Sequence, residues 1–284
     1  MRMRGNRPYL LFTTHLFITA GVLIIVYLFF QSSLTTASTL DERHLFGKVL
    51  FGLLIGMELV TICFISPALS AGMISSEREH LTYDLLRVTL ISPRALVIGK
   101  YLSGLVFICL LLFTSLPLNG PAFLVGGILP EEILISIALL LVTAIAFCAV
   151  GVFFSCLFPR TLVSTILSYA FAITLVFGIP IILIVAGVSI TNLSNLAFAG
   201  LAATQEKLLI YLLWAIASLV PLATMIVTEG FLLGQHNTWL VQVPLSNNTN
   251  LTMISPWMLY IGFYLILSIV LLWASIKLVN KLES

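Results

Sequence analysis

Long apolar runs separated by short polar stretches set the pattern of this chain. A membrane span needs roughly 20 predominantly apolar residues. Six runs meet that requirement: Tyr9–Phe30, Phe46–Met73, Leu96–Leu118, Ile133–Phe158, Leu162–Val188 and Pro256–Leu278. The first is long for a secretory signal and lacks a small-residue cleavage site, so it is read as a helix that stays. A further run, Leu208–Leu233, carries Pro221 at its middle and Glu229 near its end. Proline removes a helical hydrogen bond. The spacing therefore predicts a broken hairpin over 208–233 that enters and leaves from one face, within an external region spanning 189–255. A complete seventh crossing is the alternative.

Composition supports a lipid setting. The 284 residues are 60 % hydrophobic and 8 % charged, with a mean hydropathy of +1.16. Soluble domains are roughly 45–50 % apolar and about 25 % charged. A net charge of +2 gives no footing for nucleic acid. Cys63, Cys109, Cys148 and Cys156 lie inside apolar runs without ligand spacing and read as small buried hydrophobes.

Basic residues set the orientation, because cytoplasmic flanks are enriched in Lys and Arg. Arg2, Arg4, Arg7, Arg78, Arg87, Arg94, Lys100, Arg160, Lys277 and Lys281 fall on one side, ten of the thirteen basic residues. The opposite loop, near 119–132, has none and holds Glu131 and Glu132. Both termini are expected in the cytoplasm. A seventh crossing would move Lys277 and Lys281 outside, which favours the re-entrant reading of 208–233. The predicted fold class is thus an all-α polytopic membrane protein, one transmembrane domain over 1–284, with six transmembrane helices plus the broken segment.

Charge concentrates between the second and third runs, in SSEREHLTYDLLRVTLISPRALVIGK. Ser76 and Glu79 have capping-box spacing. Leu81, Leu85 and Val88 recur at helical intervals, and Glu79, Tyr83, Asp84 and Arg87 occupy the rest of the surface. Ser92-Pro93 closes the segment, since proline disfavours helix in the residue before it. The pattern predicts a short amphipathic helix at the cytoplasmic face within 75–94. An ordinary solvated loop needs no cap, stripe or stop; a docking surface that passes force into the membrane needs all three.

A membrane helix followed by ISSEREHLTYDLLRVTLISPRALVIGKYLSGL resembles the type-2 permease family of ATP-binding-cassette (ABC) transporters. The motif positions are Glu77, Arg78, Glu79, Thr82, Leu85, Leu86, Pro93, Gly99 and Lys100. The later VGVFFSCLFPRTLVSTILSYA also looks like that family's junction between its fourth and fifth helices. The resemblance implies an exporter-like permease subunit of a bacterial plasma membrane. Its coupling residues would be Glu77, Arg78, Glu79, Thr82, Tyr83, Leu85, Leu86, Arg87 and Pro93. The implied partners are cytoplasmic ABC ATPase subunits, which carry the ATP and Mg, and a second permease subunit. This chain itself is expected to bind no cofactor or metal and to catalyse nothing. The fragment Gly99-Lys100 is no phosphate loop, because Arg94 stands where a glycine is needed and Tyr101 where the short hydroxyl of Ser or Thr is needed. Gly99 is expected to permit close helix packing and Lys100 to snorkel.

Glu58 falls in the second run and Glu229 in the broken one. An intramembrane acid is treated as a functional candidate by default, so both are candidates for a substrate pathway. Packing or interface contacts would equally accommodate them. His15 is expected to be a satisfied buried histidine, and the Gly52-x-x-x-Gly56 pair to pack inside the subunit. Two rival readings stand beside the permease. An ion-coupled secondary transporter would use Glu58 and Glu229. An intramembrane enzyme would need a catalytic constellation that the spans do not supply.

Overall fold

Small residues explain which helix sits at the centre. In this computed structural model, which describes residues 6–36, 40–81, 92–182, 203–235, 239–244 and 250–283, the elements follow in order. Helices α1 (Asn6–Thr36), α2 (Leu40–Ser70) and α3 (Ser75–Glu79) come first. α4 (Pro93–Ser115), a 3-10 turn (Leu116–Asn119) and α5 (Gly120–Val125) run on together, followed by α6 (Pro130–Leu157). α7 (Thr161–Ile173) continues through a π-turn (Thr174–Gly178). Then come α8 (Ala203–Leu219), α9 (Pro221–Gln235), strands β1 (Leu240–Pro244) and β2 (Asn250–Ile254), and α10 (Pro256–Glu283).

α6 carries Ala144, Ala146, Ala149 and Gly151, all buried, and packs against α2, α4, α7 and α10. A helix buried on nearly every face belongs in the core of a bundle. At Gly151 the approach to α2 is closest: an added Cβ would lie 2.9 Å from Ser70 Cβ and 3.1 Å from the Ala71 nitrogen. Phe51, Leu59, Ile62, Ile108, Leu111 and Phe147 fill the layers between these helices.

Five helical stretches are long and apolar enough to cross a membrane: His44–Glu79, Pro93–Val125, Pro130–Leu157, Thr161–Ile182 and Pro256–Lys281. They match the second to sixth expected runs, except that residues 183–188 lie outside the described residues. The first expected run lies in α1, whose described apolar stretch is the shorter Phe12–Leu28. The pair Ile210–Leu219 and Pro221–Gly230 is bent by 115° and would make a sixth span if counted as one.

The break falls where the proline predicted it, and contacts along both arms fix the bent pair in the bundle. On the first arm, the Trp214 indole N–H donates to the Ile254 carbonyl, just before α10 begins. At the apex, the Tyr264 hydroxyl, two turns into α10, donates to the Leu219 carbonyl. On the second arm, Glu229 comes back within electrostatic reach of Lys48 and Glu132. The carbonyls freed by Pro221 find partners nearby. Ala217 accepts from the Val220 N–H, and the Thr224 hydroxyl reaches both Ala217 and Ser218.

The all-α expectation is corrected by a two-stranded antiparallel sheet, in which Leu240 pairs with Ile254 and Pro244 with Asn250. The alternation in LVQVP and NLTMI about an Asn-rich turn is a hairpin signal. It is short and flanked by much stronger apolar runs, which masked it.

Candidate functional site

Three consecutive charged residues of α3 each reach a different helix. Glu77 Oε1 lies 2.7 Å from Lys100 Nζ on α4. Arg78 Nη1 donates to the Cys156 carbonyl near the end of α6 at 3.0 Å. Glu79 Oε2 accepts from both the hydroxyl and the backbone N–H of Thr161, the first residue of α7, at 2.5 and 3.2 Å. The chain path into α3 is equally constrained. The Ser155 hydroxyl of α6 accepts from the Ile74 and Ser75 N–H groups at 2.8 and 2.9 Å. The Ser164 hydroxyl of α7 donates to the Ala71 carbonyl at 2.7 Å. These bonds gather the ends of α2, α4, α6 and α7 around one short charged helix.

Local chemistry differs here from the capping box expected of Ser76 and Glu79. Ile74 occupies the cap position and no side chain of the segment caps the helix. The donors at the start of a helix need partners, and Ser155 supplies them from across the bundle. Glu79 is thereby released to hold Thr161. Its carboxyl is kept below the usual carboxylate range, first by the Thr161 hydroxyl and then by the Thr161 N–H. The expected single helix across 75–92 is corrected as well. α3 stops at Glu79, and Leu81 follows with φ of 57° and an exposed side chain. That left-handed backbone is uncommon for a residue with a Cβ, and it ends the helix before the leucine stripe begins.

Thr82, Tyr83, Leu85, Leu86 and Arg87 lie outside the described residues, as does Val88, so that Leu81 is the described member of the apolar stripe. Pro93 is described at the start of the next helix, and residues 82–91, where a helix was expected to stop, lie outside the described residues. Ser92 caps α4 by accepting from the Ala95 N–H, and Pro93 occupies the first helical position, where its missing N–H costs nothing. Lys100 pairs with Glu77. Gly99 faces open space, with nothing within 4 Å of an added Cβ, so it makes no close helix contact among the described residues. Ser155 and Thr161 escaped sequence reasoning as individual residues, although both lie in the FFSCLFPRT junction already singled out.

The intramembrane candidates do not form one cluster. Glu58 is buried, and its Oε1 accepts from the Asn119 amide at 3.0 Å. It borders a cavity of about 300 Å³ lined by Leu112, Phe113, Leu116, Ile137 and Leu141. Glu229 lies by the other end of α2, near a pair the sequence did not reveal. Lys48 of α2 and Glu132 of α6 form a 2.7 Å ion pair, with Glu132 almost wholly buried. Glu132 Oε2 also accepts from the Leu129 N–H at the start of α6. Glu132 is therefore an interior residue, not part of an exposed loop.

Other expectations divide. Gly56 does pack within the chain, since an added Cβ would meet Met225 of α9 at 3.4 Å, whereas Gly52 faces nothing. His15 is buried, but neither ring nitrogen has a hydrogen-bond partner among the described residues, so it is not the satisfied histidine expected. All four cysteines are free, and three of them are buried. No metal-competent group of three or more His, Cys, Asp or Glu occurs among the described residues. No protein-family model and no curated protein matches the chain.

Proposed function

We propose that this chain is the membrane-embedded permease subunit of an ATP-driven transporter of the ABC type-2 class, working as an exporter. The observation that carries the reading is the triple attachment of α3, in which Glu77, Arg78 and Glu79 bind α4, α6 and α7 in turn. Such an element does what a coupling helix must do: load applied to the charged stretch 75–94 reaches three long apolar helices directly. The basic residues favour a cytoplasmic location for this end, where a separate ATPase subunit with bound ATP and Mg would dock. A second copy of this chain, or a related one, would complete the translocation path. The α8–α9 hairpin is read as re-entrant from the external face, because both of its arms contact the end away from α3.

Co-expression with candidate ABC ATPase subunits from the same genome tests the proposal. The wild-type pair should co-purify and hydrolyse ATP, and deletion of residues 80–90 should abolish co-purification while membrane insertion persists. Full co-purification after the deletion would refute the coupling role.

The burial of Glu58 and the nearness of Glu229 to Lys48 favour a second reading, an ion-coupled transporter. Transport in proteoliposomes driven by a proton gradient alone, without any ATPase, would select it.

A further inference from the structure

At the end of the bundle away from α3, two indole rings and a carboxylate line one open cavity. Trp239 immediately precedes β1, and Trp257 stands in the first turn of α10. Their ring centroids are 5.7 Å apart and the planes are inclined at 61°, so the rings form two walls of a corner. The hairpin fixes that corner. The Ser255 N–H donates to the Trp239 carbonyl at 3.1 Å, joining the residues that flank the strand pair. α6 and α10 pack side by side, and this brings Glu131, in the first turn of α6, to the same cavity. Its volume is about 330 Å³, and Leu134, Ile135 and Ala138 complete the lining.

From this geometry we infer a binding site for a quaternary ammonium group, formed by Trp239, Trp257 and Glu131. Indole faces carry negative charge density and attract cations, and inclined aromatic walls are the usual means of holding a methylated ammonium. Glu131 is the only charged residue in the described lining and supplies the counter-charge.

Competing ligand classes fit less well. A sugar would strand its hydroxyls, since Glu131 alone offers a strong polar contact among the described lining residues. An anion would need free helix-end N–H groups, and these are largely occupied. The Glu132 and Ile133 N–H groups bond to the Leu129 carbonyl, and the Met258 N–H bonds to the Ser255 carbonyl. Pro130 and Pro256 have none to offer. A neutral apolar group would leave the carboxylate without a role. The inference goes beyond the transport reading and does not depend on it.

The test uses the full chain in nanodiscs of phosphatidylglycerol, with choline as the probe and calorimetric titration as the readout. Its uncharged isostere, 3,3-dimethyl-1-butanol, serves as the comparison. Choline should bind saturably and at least about tenfold more tightly than the alcohol, a difference within reach of two cation–π contacts and one carboxylate. Glu131→Gln should weaken choline binding several-fold, and Trp239→Ala or Trp257→Ala should remove it. Trp239→Phe, which keeps an aromatic wall, should retain most of the affinity and shows that loss in the alanine variant is not misfolding. Repeating the titration in phosphatidylcholine discs separates the two sources of the group. Weaker choline binding there assigns the site to a lipid headgroup, and unchanged binding assigns it to a dissolved solute. Equal binding of choline and the alcohol, unchanged choline binding in both alanine variants, or binding of glucose in place of choline would overturn the inference.

Discussion

Lys48 and Glu132 meet at 2.7 Å between α2 and α6, and both are largely withdrawn from the surface, with side chains 12 % and 1 % exposed. Removing one partner of such a pair leaves a buried charge uncompensated, which costs about 3–5 kcal/mol, whereas apolar replacement of both is often neutral. Lys48→Met or Glu132→Gln alone should therefore lower stability by an amount of that order. Lys48→Met with Glu132→Leu should recover most of it. Denaturant titration in mixed micelles reads the difference, and an additive double variant would show that the pair does not couple.

Ser155 accepts two backbone N–H groups at the entrance to α3. Alanine there leaves both donors buried without a partner, at about 1–3 kcal/mol for each unsatisfied group. Ser155→Ala should accelerate amide exchange at Ile74 and Ser75 well before the rest of α2 is affected. Protection equal to wild type would mean that another acceptor takes over.

The clamp between Glu79 and Thr161 has a defined pH dependence. The folded carboxyl titrates below its usual range, so the clamp is fully present above the ordinary carboxylate pKa. It is lost as pH falls through the lower, folded value. Exchange of the Thr161 N–H should thus stay slow through neutral and mildly acidic pH and quicken only below the ordinary carboxylate range. In Glu79→Gln the acid-dependent step should disappear.

Gly151 lies where α6 passes the end of α2, and the first obstacle to a larger residue is Ser70. Gly151→Ala should cost about 1–3 kcal/mol, the usual range for overpacking. Adding Ser70→Gly should restore part of the loss, and the Ala71 backbone should prevent full recovery. Thermal unfolding of the single and double variants measures both steps.

The apolar runs were legible because span length and hydropathy are properties of consecutive residues. Pro221 marked the hairpin break for the same reason: its missing N–H acts locally. What escaped was contact between residues far apart in the chain. Lys48 and Glu132 are separated by 84 positions, and nothing near either one indicates the other. The capping box at Ser76 failed similarly, since the helix begins earlier: the Ser76 N–H bonds to the Gly72 carbonyl, and Ser155 of another helix accepts the Ile74 and Ser75 N–H groups. At Ser92-Pro93 the local chemistry was present but open to two readings. Proline disfavours the helix before it and favours the one after it, and the described residues show the latter, with Pro93 in the first turn of α4.

The hairpin between α8 and α9 has a consequence for leakage. A helix broken inside a bilayer normally exposes carbonyls that invite water, and a file of water is a route for ions. Here Ala217, Ser218 and Leu219 are all met by donors of the chain itself, from Val220, Thr224 and Tyr264. These three carbonyls are therefore satisfied without solvent, and the Tyr264 hydroxyl reaches across from α10 to supply one of the donors.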